Sequence, residues 1–117
     1  MIVLDTCALI LASDGSHDLP DHADLRVCAV TWCEIAWKHR IGKLPLAPDL
    51  AGWLAQVDAL GLTTEAIDRD LFLAAVALDW DHRDPADRLI VALARRLRAP
   101  IATCDPLIRA FHPRCVW

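Results

Sequence analysis

Short apolar runs alternate along the chain with segments in which apolar residues recur at helical spacing. The apolar or extended runs are residues 2–4, 26–30, 62–64, 100–105 and 114–117. Strands that alternate with helices pair in parallel within one sheet, so this pattern predicts an α/β fold with a central parallel sheet covered by helices. A chain of 117 residues has room for one hydrophobic core, and we expect residues 1–117 to form a single domain.

The helical segments have recognisable ends. Predicted helices cover residues 7–12, 31–43, 49–60, 68–80, 85–98 and 106–111. The second ends in basic side chains, which suit the negative end of the helix dipole. The fifth is preceded by Asp84 as its N-cap and has Pro85 at its first helical position. Residues 13–24 contain Gly15, Pro20 and several Asp, and are predicted to form a turn-rich connection.

Composition excludes several classes of protein. At 56% hydrophobic residues the chain is expected to pack as a globular protein, yet no apolar run approaches the ~20 residues that span a bilayer. The opening sequence MIVLD lacks the basic region of a signal peptide, so we expect a soluble, cytoplasmic protein. Five cysteines without a C-x-x-C pair argue against a zinc site or a disulfide framework. We expect most of them to pack as small hydrophobic residues.

The acidic residues are the strongest indication of a site. All but Glu34 and Glu65 are Asp, which favours helix caps and turns over helix interiors. Asp5 ends the first strand, and Glu34 lies in the first turn of the helix that follows the second strand. Asp87 lies in the first turn of the helix that Asp84 caps, and Asp105 ends a late strand. Because ligands bind at the carboxyl ends of parallel strands, we expect these side chains to meet at one edge of the sheet.

Each acid also has a purely structural interpretation. Thr31 and Glu34 have the spacing of a capping box, Asp84 and Asp105 each precede a proline that opens a helix, and Asp5 could form a turn. A cap contributes about 1 kcal/mol. Two carboxylates ~5 Å apart repel by about 3 kcal/mol at an effective dielectric constant of 20. A cluster of acids therefore points to a hard divalent cation such as Mg²⁺ or Mn²⁺, which prefers oxygen ligands.

Several segments together resemble a known family. They are MIVLDTCALI, WCEIAWKHRIGKLPL, HRDPADRLIVALA, IATCDPLIRAF and the final RCVW, which appear in family order and span essentially the whole chain. The sequence resembles the PIN-domain ribonucleases, specifically the VapC-type toxins of type II toxin–antitoxin systems. The resemblance implies a three-layer α/β/α fold and an acidic pocket that binds Mg²⁺ or Mn²⁺ and hydrolyses RNA phosphodiester bonds. It also implies a homodimer and a cognate VapB-type antitoxin.

The resemblance assigns roles to individual residues. Asp5, Glu34, Asp87 and Asp105 fall on the family's acidic positions, where they would act in catalysis and as metal ligands. Thr6 and Thr103 flank the pocket and would orient these ligands. Asp84 is common in this subgroup, but its role stays open because it also suits a helix cap. The segment between Leu11 and Arg26 is shorter and more polar than in many relatives, which leaves the shape of one pocket wall in question.

RNA approaching a protein of net charge −4 needs local basic patches. The candidates are Lys38, Arg40 and Lys43 on one predicted helix and Arg88 on another. Arg83 and Arg88 stand beside site acids and have the alternative of pairing with Asp side chains. Arg95 and Arg96 have the alternative of a solvated helix face.

Other functions fit less well. A haloacid-dehalogenase-like phosphatase needs a second Asp two residues after the first, where this chain has Cys7. A receiver domain needs a lysine at the end of a late strand, but Lys38 and Lys43 are the only lysines. The remaining alternative is a catalytically silent PIN-like domain that binds RNA or a protein partner.

Overall fold

The computed structural model describes residues 1–19 and 23–117 and contains a parallel sheet of the strand order β3-β2-β1-β4-β5. The strands are β1 (Ile2–Leu4), β2 (Leu25–Cys28), β3 (Thr63–Glu65), β4 (Ile101–Ala102) and β5 (Cys115–Val116). Strand β1 is central, and Leu4 pairs with Val27 on one side and Ala102 on the other. The predicted α/β fold with a parallel sheet is confirmed.

Most of the helices that cover the sheet are capped at their N-termini by Asp side chains. The helices are α1 (Thr6–Ser13), α2 (Ala29–Arg40), α3 (Leu50–Asp58), α4 (Arg69–Ala77), α5 (Pro85–Leu97) and α6 (Pro106–Phe111). Asp side chains accept first-turn backbone N–H groups in every one of these except α2; the caps are Asp5, Asp49, Asp68, Asp84 and Asp105. The preference for Asp over Glu therefore reflects helix capping, as the composition indicated.

Two hydrophobic layers enclose the sheet. Val3 lies in a buried cluster with residues of α4, α5 and α6, whereas Leu4 lies in a second cluster with residues of α1, α2 and α3. Successive side chains of a strand point to opposite faces of the sheet, so Val3 and Leu4 anchor opposite layers. This gives the three-layer α/β/α arrangement. No helix among the described residues is long and apolar enough to cross a membrane.

Several predicted boundaries of strands and helices are wrong. Helix α2 begins at Ala29, so the second strand ends at Cys28 and the capping box predicted at Thr31 and Glu34 does not form. Glu34 consequently lies in the second turn of α2, and the helix ends at Arg40, before Lys43. Helix α4 ends at Ala77, before the predicted end at residue 80. The end of α2 is set locally, because Gly42 adopts a left-handed conformation with φ of 78°. Its N–H donates to the carbonyl of His39, and the N–H of Lys43 donates to that of Lys38.

Most of the cysteines are not buried in the core, contrary to the prediction. Cys28 is buried and Cys115 half-buried, but Cys7, Cys33 and Cys104 are exposed. Cys7 lies on the face of α1 that turns towards the carboxyl edge of the sheet, so its apolar neighbours in sequence do not bury it. The turn-rich segment predicted for residues 13–24 includes residues 20–22, which lie outside the described part of the chain.

Candidate active site

A cavity of about 540 Å³ opens at the carboxyl edge of the central strands. Its lining is acidic with a few basic, small and apolar side chains: Asp5, Glu34, Asp84, Asp87, Asp105, Thr6, Cys7, Lys38, Lys43, Ile10, Leu11 and Leu44. The structure thus brings all four acids singled out from the sequence to one cavity and adds Asp84 to them. The carboxyl ends of β1 and β4, together with the first turns of α1, α5 and α6, supply half of this lining. The other half comes from the second turn of α1, from α2 and from the segment that follows α2.

Asp5 is the most deeply placed acid, at 3% exposure. Its Oδ1 accepts the backbone N–H of Ala8 at 2.7 Å and so caps α1, and its Oδ2 accepts the hydroxyl of Thr103. Burial raises the pKa of Asp5, and the charges of Asp87 and Asp105 raise it further, while the two hydrogen bonds oppose the rise. Asp5 is therefore both a helix cap and a member of an electrostatically coupled acidic group.

Asp87 is held by a histidine that is close in sequence. His82 Nε2 lies 2.7 Å from Asp87 Oδ2, and both side chains are largely buried. Burial raises the pKa of Asp87, with further contributions from the charges of Asp84 and Asp105. Asp84 accepts the backbone N–H of Asp87 at 3.1 Å, so its capping role is observed even though its side chain also lines the cavity.

Glu34 reaches the cavity from α2 and has two side-chain partners. Its Oε1 accepts the hydroxyl of Thr6 at 2.5 Å, and its Oε2 pairs with Lys38 Nζ at 3.1 Å, one helical turn further along. Thr6 also lies 3.4 Å from the hydroxyl of the buried Thr31. Helices α1 and α2 are therefore joined beside the cavity through Thr6, which fixes where the Glu34 carboxylate sits.

Asp105 completes the acidic group and is joined to Asp5 through one hydroxyl. Its Oδ1 accepts the backbone N–H of Leu107 at 2.8 Å and caps α6. Its own backbone N–H donates to Thr103 Oγ1 at 2.9 Å, and the same hydroxyl donates to Asp5. Thr103 thus acts as donor and acceptor at once and couples the ends of β1 and β4.

The donors of the cavity fit a hard divalent cation by their chemistry. They are carboxylate oxygens, and the charges of Asp87 and Asp105 raise the pKa of Asp5, while that of Asp105 also raises the pKa of Asp87. A cation relieves that repulsion. As the side chains stand, however, no group of three or more His, Cys, Asp or Glu within residues 1–19 and 23–117 is arranged to hold a metal ion. Water molecules would supply the remaining ligands, as is usual for Mg²⁺.

Comparison with known proteins agrees with this architecture. Residues 2–111 match the family model described as PIN domain. The chain belongs to the PIN-domain family. It is 38% identical over 99 residues to Ribonuclease VapC22 of Mycobacterium tuberculosis, a match that covers 82% of this chain and 75% of that protein. The family expected from the sequence is confirmed.

Two solved structures share the fold of this PIN domain. A toxin–antitoxin complex from Klebsiella pneumoniae matches with a TM-score of 0.68 at 17% identity, covering 100% of this chain and 97% of that chain. VapBC2 from Rickettsia felis, bound to a DNA fragment from its promoter, matches with a TM-score of 0.72 at 13% identity, covering 100% and 98%. At these identities the likeness supports the fold.

The four basic residues singled out from the sequence separate in this PIN domain. Lys38 and Lys43 line the acidic cavity. Arg40 instead lines a different groove, together with Trp37 and His39. Arg88 is half-buried, and its guanidinium donates to backbone carbonyl groups. Neither Arg40 nor Arg88 is therefore placed to meet a phosphate at the cavity.

Sequence analysis overlooked His82. The histidines show no ligand spacing, and His82 precedes Asp87 by five residues, outside the regular spacings at which side chains on one helix meet. The available signal was that His82 lies two residues before Asp84, the N-cap of α5, in the short loop that precedes this helix. Only the path of that loop reveals the contact.

Proposed function

We propose that this PIN domain is a metal-dependent ribonuclease, the toxin of a toxin–antitoxin pair, and that it hydrolyses RNA phosphodiester bonds at the acidic cavity. The observation that carries the proposal is the convergence of Asp5, Glu34, Asp87 and Asp105 on one cavity that two lysines also line. The 38% identity to a protein named as a ribonuclease supports the same chemistry. The unit proposed to act is a single domain over residues 1–117, in the cytoplasm.

The acids divide into two groups in this proposal. Asp5 and Asp87 hold Mg²⁺ or Mn²⁺ directly, because burial and mutual repulsion favour neutralisation of their charge by a cation. Glu34 and Asp105 bind the ion directly or through water, or accept the proton of the attacking water. When bound, the ion supplies positive charge that activates water and offsets the charge of the scissile phosphate.

The chain's own residues orient these acids. Thr103 and the backbone of Ala8 each engage one oxygen of Asp5, which prevents the carboxylate from rotating. Thr6 and Lys38 do the same for the two oxygens of Glu34. Held in this way, the carboxylates need little reorganisation when RNA arrives, which is how an enclosed polar site lowers a barrier.

Lys38 and Lys43 provide the positive charge for RNA on the rim of the cavity. Phosphate neutralisation supplies most of the affinity of a protein for nucleic acid, and the chain as a whole is acidic. A net charge of −4 also suits an antitoxin whose basic segment occupies the cavity. The K. pneumoniae structure is described as a toxin–antitoxin complex and the R. felis structure as VapBC2. We propose a VapB-type antitoxin as partner here, with a homodimer as the toxin's own state.

Cleavage of total bacterial RNA by purified, antitoxin-free protein tests the proposal. The reactions contain Mg²⁺, Mn²⁺ or EDTA and use wild type, Asp87→Asn and Asp58→Asn. Asp58 is exposed on α3 and does not line the cavity, so its variant controls for the change of charge. We expect discrete products that need the metal and the Asp87 carboxylate and that Asp58→Asn retains. RNA that binds but stays intact under every condition would instead indicate a catalytically silent binding domain.

A further inference from the structure

Arg88 organises the chain between α4 and α5. Each of its five N–H groups donates to a different backbone carbonyl, at 2.6 to 3.1 Å; the acceptors are Ala75, Val76, Leu78, Trp80 and His82. A guanidinium has five N–H groups, so this set uses its whole donor capacity. These hydrogen bonds satisfy carbonyl groups at the end of α4 and fix the path of the loop that leads to His82.

Aromatic contacts fix the His82 ring within that loop. The ring lies 4.9 Å from the Trp80 ring, which stacks on Phe111 at 4.6 Å with 3° between the planes. His82 itself is only 20% exposed at its side chain. The imidazole is therefore held by its backbone through Arg88 and on one side by a rigid aromatic stack.

The ring of His82 contacts the carboxylate of Asp87, the residue that directly precedes Arg88. His82 Nε2 lies 2.7 Å from Asp87 Oδ2, and the backbone N–H of Asp87 is fixed by Asp84. The hydrogen bonds among the described residues engage Oδ2 of Asp87 and leave its Oδ1 for another partner. Without His82 the Asp87 carboxylate would turn away from the like charges of Asp84 and Asp105, since these raise the free energy of the ionised form.

We infer that His82 is a positioning residue. The hydrogen bonds of Arg88 and the contact with Trp80 hold its ring, and the ring in turn orients Asp87 so that Oδ1 faces the bound cation. The inference rests on the proposed function, because it assigns a cation ligand to Asp87. Residues that orient a ligand in this way commonly change metal affinity or activity 10- to 100-fold when they are removed.

Binding of Mn²⁺, followed by the electron paramagnetic resonance signal of the free ion, tests the inference without any RNA. His82→Ala is expected to weaken binding about 10-fold or more. His82→Gln is expected to restore binding to within about 3-fold, because its amide nitrogen occupies a position close to that of Nε2. His17→Ala is the matched control, since His17 is exposed and does not line the cavity.

Two results would overturn the positioning role. One is His82→Ala binding Mn²⁺ as tightly as wild type while circular dichroism shows it folded. The other is His82→Gln binding no better than His82→Ala. With RNA, a positioning defect lowers kcat and leaves KM nearly unchanged, because the lysines that meet the phosphates are untouched.

A metal-free measurement separates this inference from the proposed function. If wild type neither binds Mn²⁺ nor cleaves RNA, the proposed function fails, and nitrogen-15 spectra of the His82 ring then decide the positioning contact by themselves. We expect one tautomer, protonated at Nε2, that is lost in Asp87→Ala. A mixture of tautomers in wild type, or a spectrum that Asp87→Ala leaves unchanged, would refute the contact.

Discussion

Thr103 donates its hydroxyl to Oδ2 of Asp5 and so joins the carboxyl ends of β4 and β1 at the floor of the acidic cavity. Thr103 is fully buried and accepts the backbone N–H of Asp105 through the same oxygen. Two acids of the site thus depend on one small side chain. Asp5 in turn caps α1, so the contact stabilises local structure as well as the site.

Replacement of Thr103 by Val is expected to destabilise the protein. Valine keeps the shape but leaves Asp5 Oδ2 and the Asp105 N–H without this partner, and a buried polar group that loses its partner costs about 1–3 kcal/mol. We therefore expect Thr103→Val to lower the free energy of unfolding by about 2–3 kcal/mol in urea denaturation. Thr103→Ser keeps the hydroxyl and should stay within about 1 kcal/mol of wild type. Equal losses in the two variants would show that the methyl group matters as much as the hydrogen bonds.

Asp5→Asn is expected to abolish cleavage without destabilising the metal-free protein. Burial and the neighbouring acids raise the pKa of Asp5, so its stabilising contribution is greatest at low pH and is lost as the pH rises through the folded-state pKa. Asparagine removes that charge and still accepts the Ala8 N–H as a cap. At pH 7 without metal the variant should melt at the same temperature as wild type or higher.

The pH dependence and a matched cap variant check the reason for this result. The difference in melting temperature between Asp5→Asn and wild type should shrink as the pH falls, because the raised pKa lets Asp5 take up its proton at a higher pH than an ordinary Asp. Asp49→Asn makes the same substitution at the exposed cap of α3, outside the cavity, and should change little. A marked fall in melting temperature for Asp5→Asn at pH 7 would mean that Asp5 is chiefly structural.

The meeting of the four acids was predictable because it follows from topology. In a parallel sheet the ends of neighbouring strands share one edge, so Asp5 and Asp105 meet whatever the side-chain detail. Asp87 follows because Asp84 and Pro85 mark the start of α5 in the sequence. Glu34 reached the cavity although its predicted place in the first turn was wrong, since one helical turn moves a side chain only ~5.4 Å along the axis.

The contacts that orient the acids were not predictable in the same way. The path of the loop after α4 decides that Arg88 binds five carbonyl groups and that His82 meets Asp87. Local spacing does not encode that path, and the sequence offered RNA or an Asp side chain as the partner of Arg88, not backbone carbonyl groups. The separation of Arg40 from Lys38 has a similar cause, because the two residues lie two positions apart on α2 and face different grooves.

This separation predicts different contributions to RNA binding. Lys38→Ala with Lys43→Ala is expected to weaken binding at low salt and to reduce the slope of log K against log salt by about one unit per lysine. Lys38 pairs with Glu34 in the free protein, so its share is the smaller one. Arg40→Ala removes the same charge from the same helix outside the cavity and should leave the slope unchanged. Fluorescence anisotropy in EDTA, which prevents metal-dependent cleavage, measures the affinity for RNA and its salt dependence. Equal effects of Lys38→Ala, Lys43→Ala and Arg40→Ala would indicate only a general charge effect.

Because of the buried His112, the protein is expected to lose stability in mild acid. His112 is 5% exposed, and neither ring nitrogen has a hydrogen-bond partner among the described residues. Burial lowers the pKa of His112 below its ordinary value of 6.5, and the charges of Arg95 and Arg114 act in the same direction. The nearby backbone of Ala99 opposes this shift, but its contact with the ring falls short of hydrogen-bond geometry. The unfolded chain then binds a proton more readily than the folded one, so this group stabilises the fold above about pH 6.5 and destabilises it as the pH falls.

His112→Leu isolates this contribution because Asp5 and Asp87 act in the opposite direction. Their raised pKa values make the folded state bind protons more readily than the unfolded chain, which favours the fold as the pH decreases. The informative quantity is therefore the difference in melting temperature between variant and wild type from pH 7 to pH 5. We expect that difference to move in favour of His112→Leu as the pH falls. Parallel curves for His112→Leu and wild type would show that His112 is protonated equally well in the folded state.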